Sequence, residues 1–211
     1  MFPWMSITKL ADTTVMLPLA AVCTVWLVFG RAWRMVFWWC LLFTLGLSLV
    51  AATKIAFIGW GIGIQALDFT GFSGHAMRTT AVMPVLFYLL LQKSFSTLRI
   101  SGVLLGIALG VLIGISRLEV QVHSVSEVVS GCILGAFVSI GFIWISSTLP
   151  KPILHGWLIA LSLIVLIPAP MAKPAPTNRW LNTISLSISG HDKPFERGYS
   201  GKSHCCVSEP D

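Results

Sequence analysis

The sequence predicts an all-α membrane protein of about six transmembrane helices, and three observations lead there. Of 211 residues, 55% are hydrophobic and only 10% are charged. The mean hydropathy is +0.85, so the polar surface is too small to cover a water-soluble globule. Apolar runs also recur along most of the chain near the length that crosses a bilayer, roughly 20 residues. Helices are the expected form, because unpaired backbone groups in hydrocarbon are costly and the runs lack the alternation of a barrel strand.

Six segments follow in order: Thr14–Gly30, Met35–Ala52, Thr79–Leu91, Ile100–Ile115, Val128–Ile145 and Ile153–Pro170, each bounded by charges, Gly or Pro. The third is short, and a start nearer Ala76 would lengthen it. The first reads as a retained span and not as a cleaved leader. Arg31-Ala32-Trp33-Arg34 is a poor small-residue cleavage site, and another apolar run follows at once. Residues 1–171 therefore form a six-helix membrane domain, and residues 172–211 a polar tail. The tail opens with a Pro-rich extended stretch over 168–176, continues through modest apolar spacing in Arg179–Ser189 that suits a short interfacial segment, and is irregular after Gly190.

The formal charge of +6 does not indicate a nucleic-acid partner, since no basic run of five or more occurs. Basic residues instead mark topology. Alternating the helices puts Arg31, Arg34, Lys93, Arg99 and Lys151 on one face with no acid among them, which the positive-inside rule makes cytoplasmic. Both termini and the remaining loops then look outward, toward the periplasm if the protein sits in a bacterial inner membrane. Of the five cysteines, Cys23, Cys40 and Cys132 read as small apolar residues within helices. Cys205 and Cys206 are adjacent and have no assigned role. Gly59-Trp60-Gly61-Ile62-Gly63 has no strand before it and reads as a surface loop, not a nucleotide fingerprint.

Chemistry concentrates at the outer helix ends. Lys54 is expected to close the second helix, His75 to open the third, Arg117 to close the fourth, and His123 and Glu127 to open the fifth. Ionisable groups at a membrane margin are costly unless paired or used. His123 and Glu127, four apart, share one side of a helical turn, so the carboxylate can hold one ring nitrogen and leave the other free to attack an electrophile. His75 follows Ser73 and Gly74 at a helix start, where free amides favour an anion. Arg117 can fork onto two phosphoryl oxygens, with Lys54 adding charge. Singly, each has a plainer role: Glu127 as a helix cap, the histidines as loop hydrogen-bonders, the cations as headgroup-facing side chains. Their joint order and spacing favour a site.

The pattern Ser116-Arg117-x5-His123-x3-Glu127 resembles the third signature, Ser-Arg-x5-His-x3-Asp, of the type-2 phosphatidic acid phosphatase superfamily, relatives of the vanadium haloperoxidases. Phe72-Ser73-Gly74-His75 resembles its second, Pro-Ser-Gly-His, and Lys54 stands for the lysine of its first, Lys-x6-Arg-Pro. The match departs in three places. Gly61-Ile62 replaces Arg-Pro, Phe72 replaces Pro, and Glu127 replaces Asp with one more methylene. Arg78, one turn after His75, is a candidate for the missing arginine's charge.

The resemblance implies a metal-independent lipid phosphatase without a cofactor. His123 would be the nucleophile, His75 the general acid and base, and Glu127 the residue orienting His123. Lys54, Ser73, Gly74, Arg117 and the candidate Arg78 would bind phosphate. The implied partners are the bilayer and a lipid phosphate: phosphatidic acid, phosphatidylglycerophosphate, a polyprenyl pyrophosphate or a lipid A phosphate. Two alternatives stand beside it, a lipid phosphotransferase using the same site and a non-catalytic scaffold or transporter with a degenerate one. Neither the lipid nor the oligomeric state is legible.

Overall fold

A computed structural model of the protein describes residues 11–166, 177–191 and 193–195. Seven α-helices carry the described residues: α1 Thr13–Phe29, α2 Trp33–Trp60, α3 Gly74–Leu90, α4 Ser96–Glu119, α5 Val125–Ser147, α6 Gly156–Leu166 and α7 Thr177–Ser189. A short 3-10 turn, Gln65–Leu67, interrupts the loop between α2 and α3. Among the described residues no strand forms; Ile64 and Phe69 make one isolated bridge. The all-α membrane-type architecture predicted from hydropathy is thus present, and α2, α4 and α5 are long and apolar enough to cross a bilayer.

Several boundaries move. The second helix does not stop at Ala52 but runs to Trp60, because nothing from Thr53 to Ile58 breaks a helix and Gly61 supplies the left-handed C-cap at φ 67°. The third starts five residues early, at Gly74, with Ser73 as N-cap. The loops between the second and third and between the fourth and fifth helices shrink accordingly. The sixth segment forms a helix only over Gly156–Leu166 of its described part. The residues from 167 to 176, and Cys205 and Cys206, lie outside the described residues.

At the centre stands α3, most of whose residues are buried. In lipid, helices gain little from the hydrophobic effect against each other, so close van der Waals approach of small residues decides the packing. Gly102, Gly106 and Gly110 of α4 recur every fourth residue and face α3. A methyl at Gly106 would sit 2.5 Å from the Pro84 nitrogen, so α4 fits against the stretch of α3 where proline has removed an N–H. On the other side Gly131 and Gly135 of α5 abut the Ser73 and Met77 carbonyls, where a methyl would approach to 2.7 and 2.4 Å. A large-residue cluster fills the space between α1, α2 and α5, with Trp26, Trp39, Phe142 and Met77 buried. Its indole donors are satisfied, Trp26 Nε1 by Ser162 Oγ at 3.1 Å and Trp39 Nε1 by the Ala20 carbonyl at 3.2 Å.

One end gathers Gly30 beside Pro152, and Gln92 Nε2 donates to the Pro152 carbonyl at 3.0 Å. The start of α3, the C-terminal part of α2 and the start of α5 meet at the opposite end. There α7, amphipathic as its spacing suggested, packs on α2 with Ser185 and Ser189 against Gly59. The described residues after Gly190, 191 and 193–195, form no helix and are anchored. His191 Nδ1 donates to the Gly59 carbonyl at 2.9 Å, and the Phe195 N–H donates to the Ile58 carbonyl at 2.9 Å. Helix-terminal acceptors that would otherwise lack partners are thereby used. The glycine-containing stretch 59–63 is consequently a helix end and its cap, only partly a loop.

Candidate active site

Ser124 starts α5 with a reciprocal cap: its Oγ accepts from the Glu127 N–H, and Glu127 Oε2 accepts from the Ser124 N–H, both at 3.4 Å. The cap places Glu127 facing back over the preceding residue. His123 Nδ1 donates to Glu127 Oε2 at 2.6 Å, with the carboxylate buried and the ring only 10% exposed. That bond fixes the tautomer with the proton on Nδ1 and leaves the Nε2 lone pair uncommitted. Burial pushes the His123 imidazole below the ordinary histidine range, the Glu127 bond pulls it back up, and the charges of Lys54 and Arg117 push it down again. The plainer reading of Glu127 as a helix cap and the reading as a histidine partner are therefore both satisfied by one carboxylate.

The other Glu127 oxygen faces the loop before α3. Oε1 accepts from the Thr70 N–H at 2.9 Å and also from the Thr70 hydroxyl. Nearby, Ser126 Oγ donates to the Leu67 carbonyl at 2.7 Å. The α2–α3 loop is thus tied twice to the first turn of α5.

His75 stands in the first turn of α3, half-buried, within Coulombic range of Arg78, Arg117, His123 and Lys54. The same set converges on Lys54, which feels Arg78, Glu127 and Arg117. Lys54 does not close its helix, contrary to expectation; it sits six residues before the end of α2, and Gly71 lies against its backbone and Cγ. A Cβ at Gly71 would meet Lys54 Cγ at 3.2 Å, and φ there is 143°, so only glycine lets the loop come this close without strain. Thr53 holds the next step of the loop, its Oγ1 accepting from the Phe72 N–H at 3.3 Å.

Arg78 folds its guanidinium along the first turn of its own helix, beside Gly74, and is coupled to Arg117. Asp12, the N-cap of α1, lies within Coulombic range of both arginines. Asp68 and Glu119 are exposed. Ser73 Oγ, Arg78 Nε and Arg117 Nε are buried with no hydrogen-bond partner among the described residues. Each such donor costs roughly 1–3 kcal/mol when left unmade. Three of them, beside the first-turn amides of α3, form a donor set that suits the oxygens of a phosphate.

Lys54, His75, Arg78, Arg117, His123 and Glu127 are thus linked by Coulombic range at one end of the bundle, where Ser73 and Gly74 begin α3. Thr70, Thr53 and Asp12 were not legible as members. Thr70 and Thr53 lie outside any spacing rule, and Asp12 reaches the site only through the packing of α1. The Ser124-x-x-Glu127 capping box was available in the sequence as a signal for the start of α5.

The model of a family described as the PAP2 superfamily matches residues 62–151. That range contains Ser73, Gly74, His75, Arg78, Arg117, His123 and Glu127, and leaves Lys54 outside. A protein of Klebsiella pneumoniae described as an uncharacterized 22.5 kDa protein in the cps region is 38% identical over 199 residues, covering 92% of this chain and 95% of its own. No solved structure matches.

Proposed function

Because the chain belongs to the PAP2 superfamily, we propose that it is an integral membrane phosphatase hydrolysing a lipid phosphomonoester or pyrophosphate through a phosphohistidine. The observation that carries this reading is the 2.6 Å bond from His123 Nδ1 to Glu127, which keeps the proton on Nδ1 and leaves the Nε2 lone pair available to attack. His123 Nε2 forms a bond to phosphorus as the bond to the leaving oxygen breaks, and the electron pair leaves with that oxygen. His75 delivers a proton to it. Water then attacks the phosphohistidine, giving its proton to His75 and releasing inorganic phosphate, and His123 is regenerated. A phosphate dianion among Lys54, Arg78 and Arg117 offsets their charge, the condition under which His75 can hold the proton it donates.

Lys54, Ser73, the Gly74 amide, Arg78 and Arg117 hold the non-bridging oxygens and stabilise the charge that builds on them. Arg78 takes the place of the arginine that Gly61-Ile62 lacks, supported by its coupling to Lys54, His75 and Arg117. No step calls on a metal ion, so turnover should survive chelation. The opposite end of the bundle carries Arg31, Arg34, Lys93, Arg99 and Lys151 without an acid, which supports a cytoplasmic assignment for that end and an outward-facing, periplasmic site in a bacterial inner membrane. The six-helix body and the tail on the catalytic side belong to this reading.

The test is phosphate release from phosphatidic acid, phosphatidylglycerophosphate, undecaprenyl pyrophosphate and lipid A in detergent micelles, beside His123→Ala and His75→Ala. Release from at least one lipid, abolished in both variants, is expected. Retained turnover in His123→Ala overturns the histidine nucleophile, and a newly phosphorylated lipid in place of free phosphate makes the enzyme a phosphotransferase.

A further inference from the structure

We propose that Thr70 is a positioning residue for the reaction, holding the Glu127 carboxylate in the orientation that aligns His123. The inference rests on the reading of His123 as nucleophile given above. Its basis is the division of labour on one buried carboxylate. Oε2 takes the His123 Nδ1 proton at 2.6 Å and the Ser124 N–H at 3.4 Å, while Oε1 takes the Thr70 N–H at 2.9 Å and the Thr70 hydroxyl. Thr70 gives Oε1 two donors, one backbone and one side chain, and it comes from a different loop than the histidine.

A glutamate has one more rotatable bond than the aspartate of the resembling signature, so its carboxylate needs an anchor that a shorter side chain does not. Two donors from one residue, converging on the same oxygen, fix both the position and the plane of the carboxylate. The partner oxygen is then presented to Nδ1, and Nε2 points where the ring must attack. Partners of a group that itself touches the reacting side chain change activity by roughly 10–100-fold when removed, as outer-shell residues do around metal ligands. The buried charge also makes the clamp consequential, because a desolvated carboxylate that loses a donor reorients to find another.

The Thr70 backbone is placed for this by the same loop that packs Gly71 on Lys54 and hydrogen-bonds Phe72 to Thr53. The hydroxyl is therefore the part a substitution can remove without disturbing the N–H. Thr70→Val keeps the shape and the amide, and Thr70→Ser keeps the hydroxyl.

The experiment compares wild type, Thr70→Val, Thr70→Ser and His123→Ala as purified full-length proteins, with dioctanoyl phosphatidic acid in micelles and the best substrate of the four-lipid panel. Thr70→Val should lower kcat about 10–100-fold with KM within about threefold of wild type. Its acid limb should shift to lower pH, since a looser Glu127 supports the imidazolium less. Thr70→Ser should recover kcat to within about threefold of wild type. Equal losses in Thr70→Ser and Thr70→Val, or a fall in thermal stability that accounts for the lost activity, overturn the positioning role. Wild-type kinetics in Thr70→Val with an inactive His123→Ala overturn this inference alone. An active His123→Ala, or no turnover by wild type on any lipid, overturns the nucleophile assignment and the inference with it.

Discussion

The backbone N–H of Ser73 donates to the backbone carbonyl of Glu127 at 3.0 Å, so the N-cap of α3 is hydrogen-bonded directly to the first turn of α5. Ser73, which precedes the amides proposed to bind phosphate, and Glu127, proposed to orient the nucleophile, are held in one frame. Errors in either helix are therefore felt by both halves of the site.

Glu127→Asp should be a poor enzyme even though it restores the residue of the resembling signature. The shorter side chain cannot keep both donors of Thr70 and still reach His123, whose present distance is 2.6 Å. A loss in kcat of about 10-fold or more is expected, and Glu127→Gln, which cannot stabilise the imidazolium, should lose about 10²-fold or more. Steady-state phosphate release decides it: an Asp variant as fast as wild type would show that carboxylate reach is not limiting.

The acid limb of kcat/KM should lie below the ordinary histidine value of about 6.5. Burial is the largest influence on His123 and disfavours its charged form, so the ring stays neutral and nucleophilic to lower pH than a free imidazole. Activity should therefore persist to lower pH than an unperturbed imidazole nucleophile would allow. An acid limb above about 7 would contradict this sign.

Arg78→Ala should lower kcat/KM by about 10–100-fold, the range for losing a hydrogen bond to a charged group, and Arg78→Lys should recover only part. The buried, unpartnered Nε and the coupling to Arg117 motivate this expectation. Undiminished efficiency in Arg78→Ala would remove Arg78 from the phosphate site.

Gly131→Ala should destabilise the fold by about 1–3 kcal/mol, as overpacking does, and also reduce turnover per folded molecule. Its methyl would sit 2.7 Å from the Ser73 carbonyl, on the frame that registers α3 to α5. Gly106→Ala, which meets Pro84 in the middle of the bundle, is the control. It should cost comparable stability but leave the folded fraction with near wild-type kcat. Thermal melts paired with active-fraction measurements separate the two.

Much of this arrangement was legible before any coordinates. Long apolar runs announce helices because a bilayer permits little else, and His123 with Glu127 at a spacing of four can hardly avoid each other on a helix. Helix ends were less legible, since hydropathy marks the span while capping marks the terminus. Lys54 reads as a boundary by charge, yet the helix continues to Trp60, where Gly61 stops it. Thr70 and Asp12 left no trace in spacing, because each reaches the site through a loop or a helix start positioned by tertiary packing.

That continuation of α2 beyond Lys54 has a geometric consequence. Six further residues carry the helix about 9 Å past the lysine, at 1.5 Å per residue. The central α3, with 17 residues, is about 25 Å long and shorter than the hydrocarbon layer of about 30 Å. Lys54, at the candidate cluster, lies about one and a half helical turns short of the α2 terminus. On the lipid-phosphatase reading proposed above, the substrate's acyl chains would stay in hydrocarbon while its phosphate meets the helix ends.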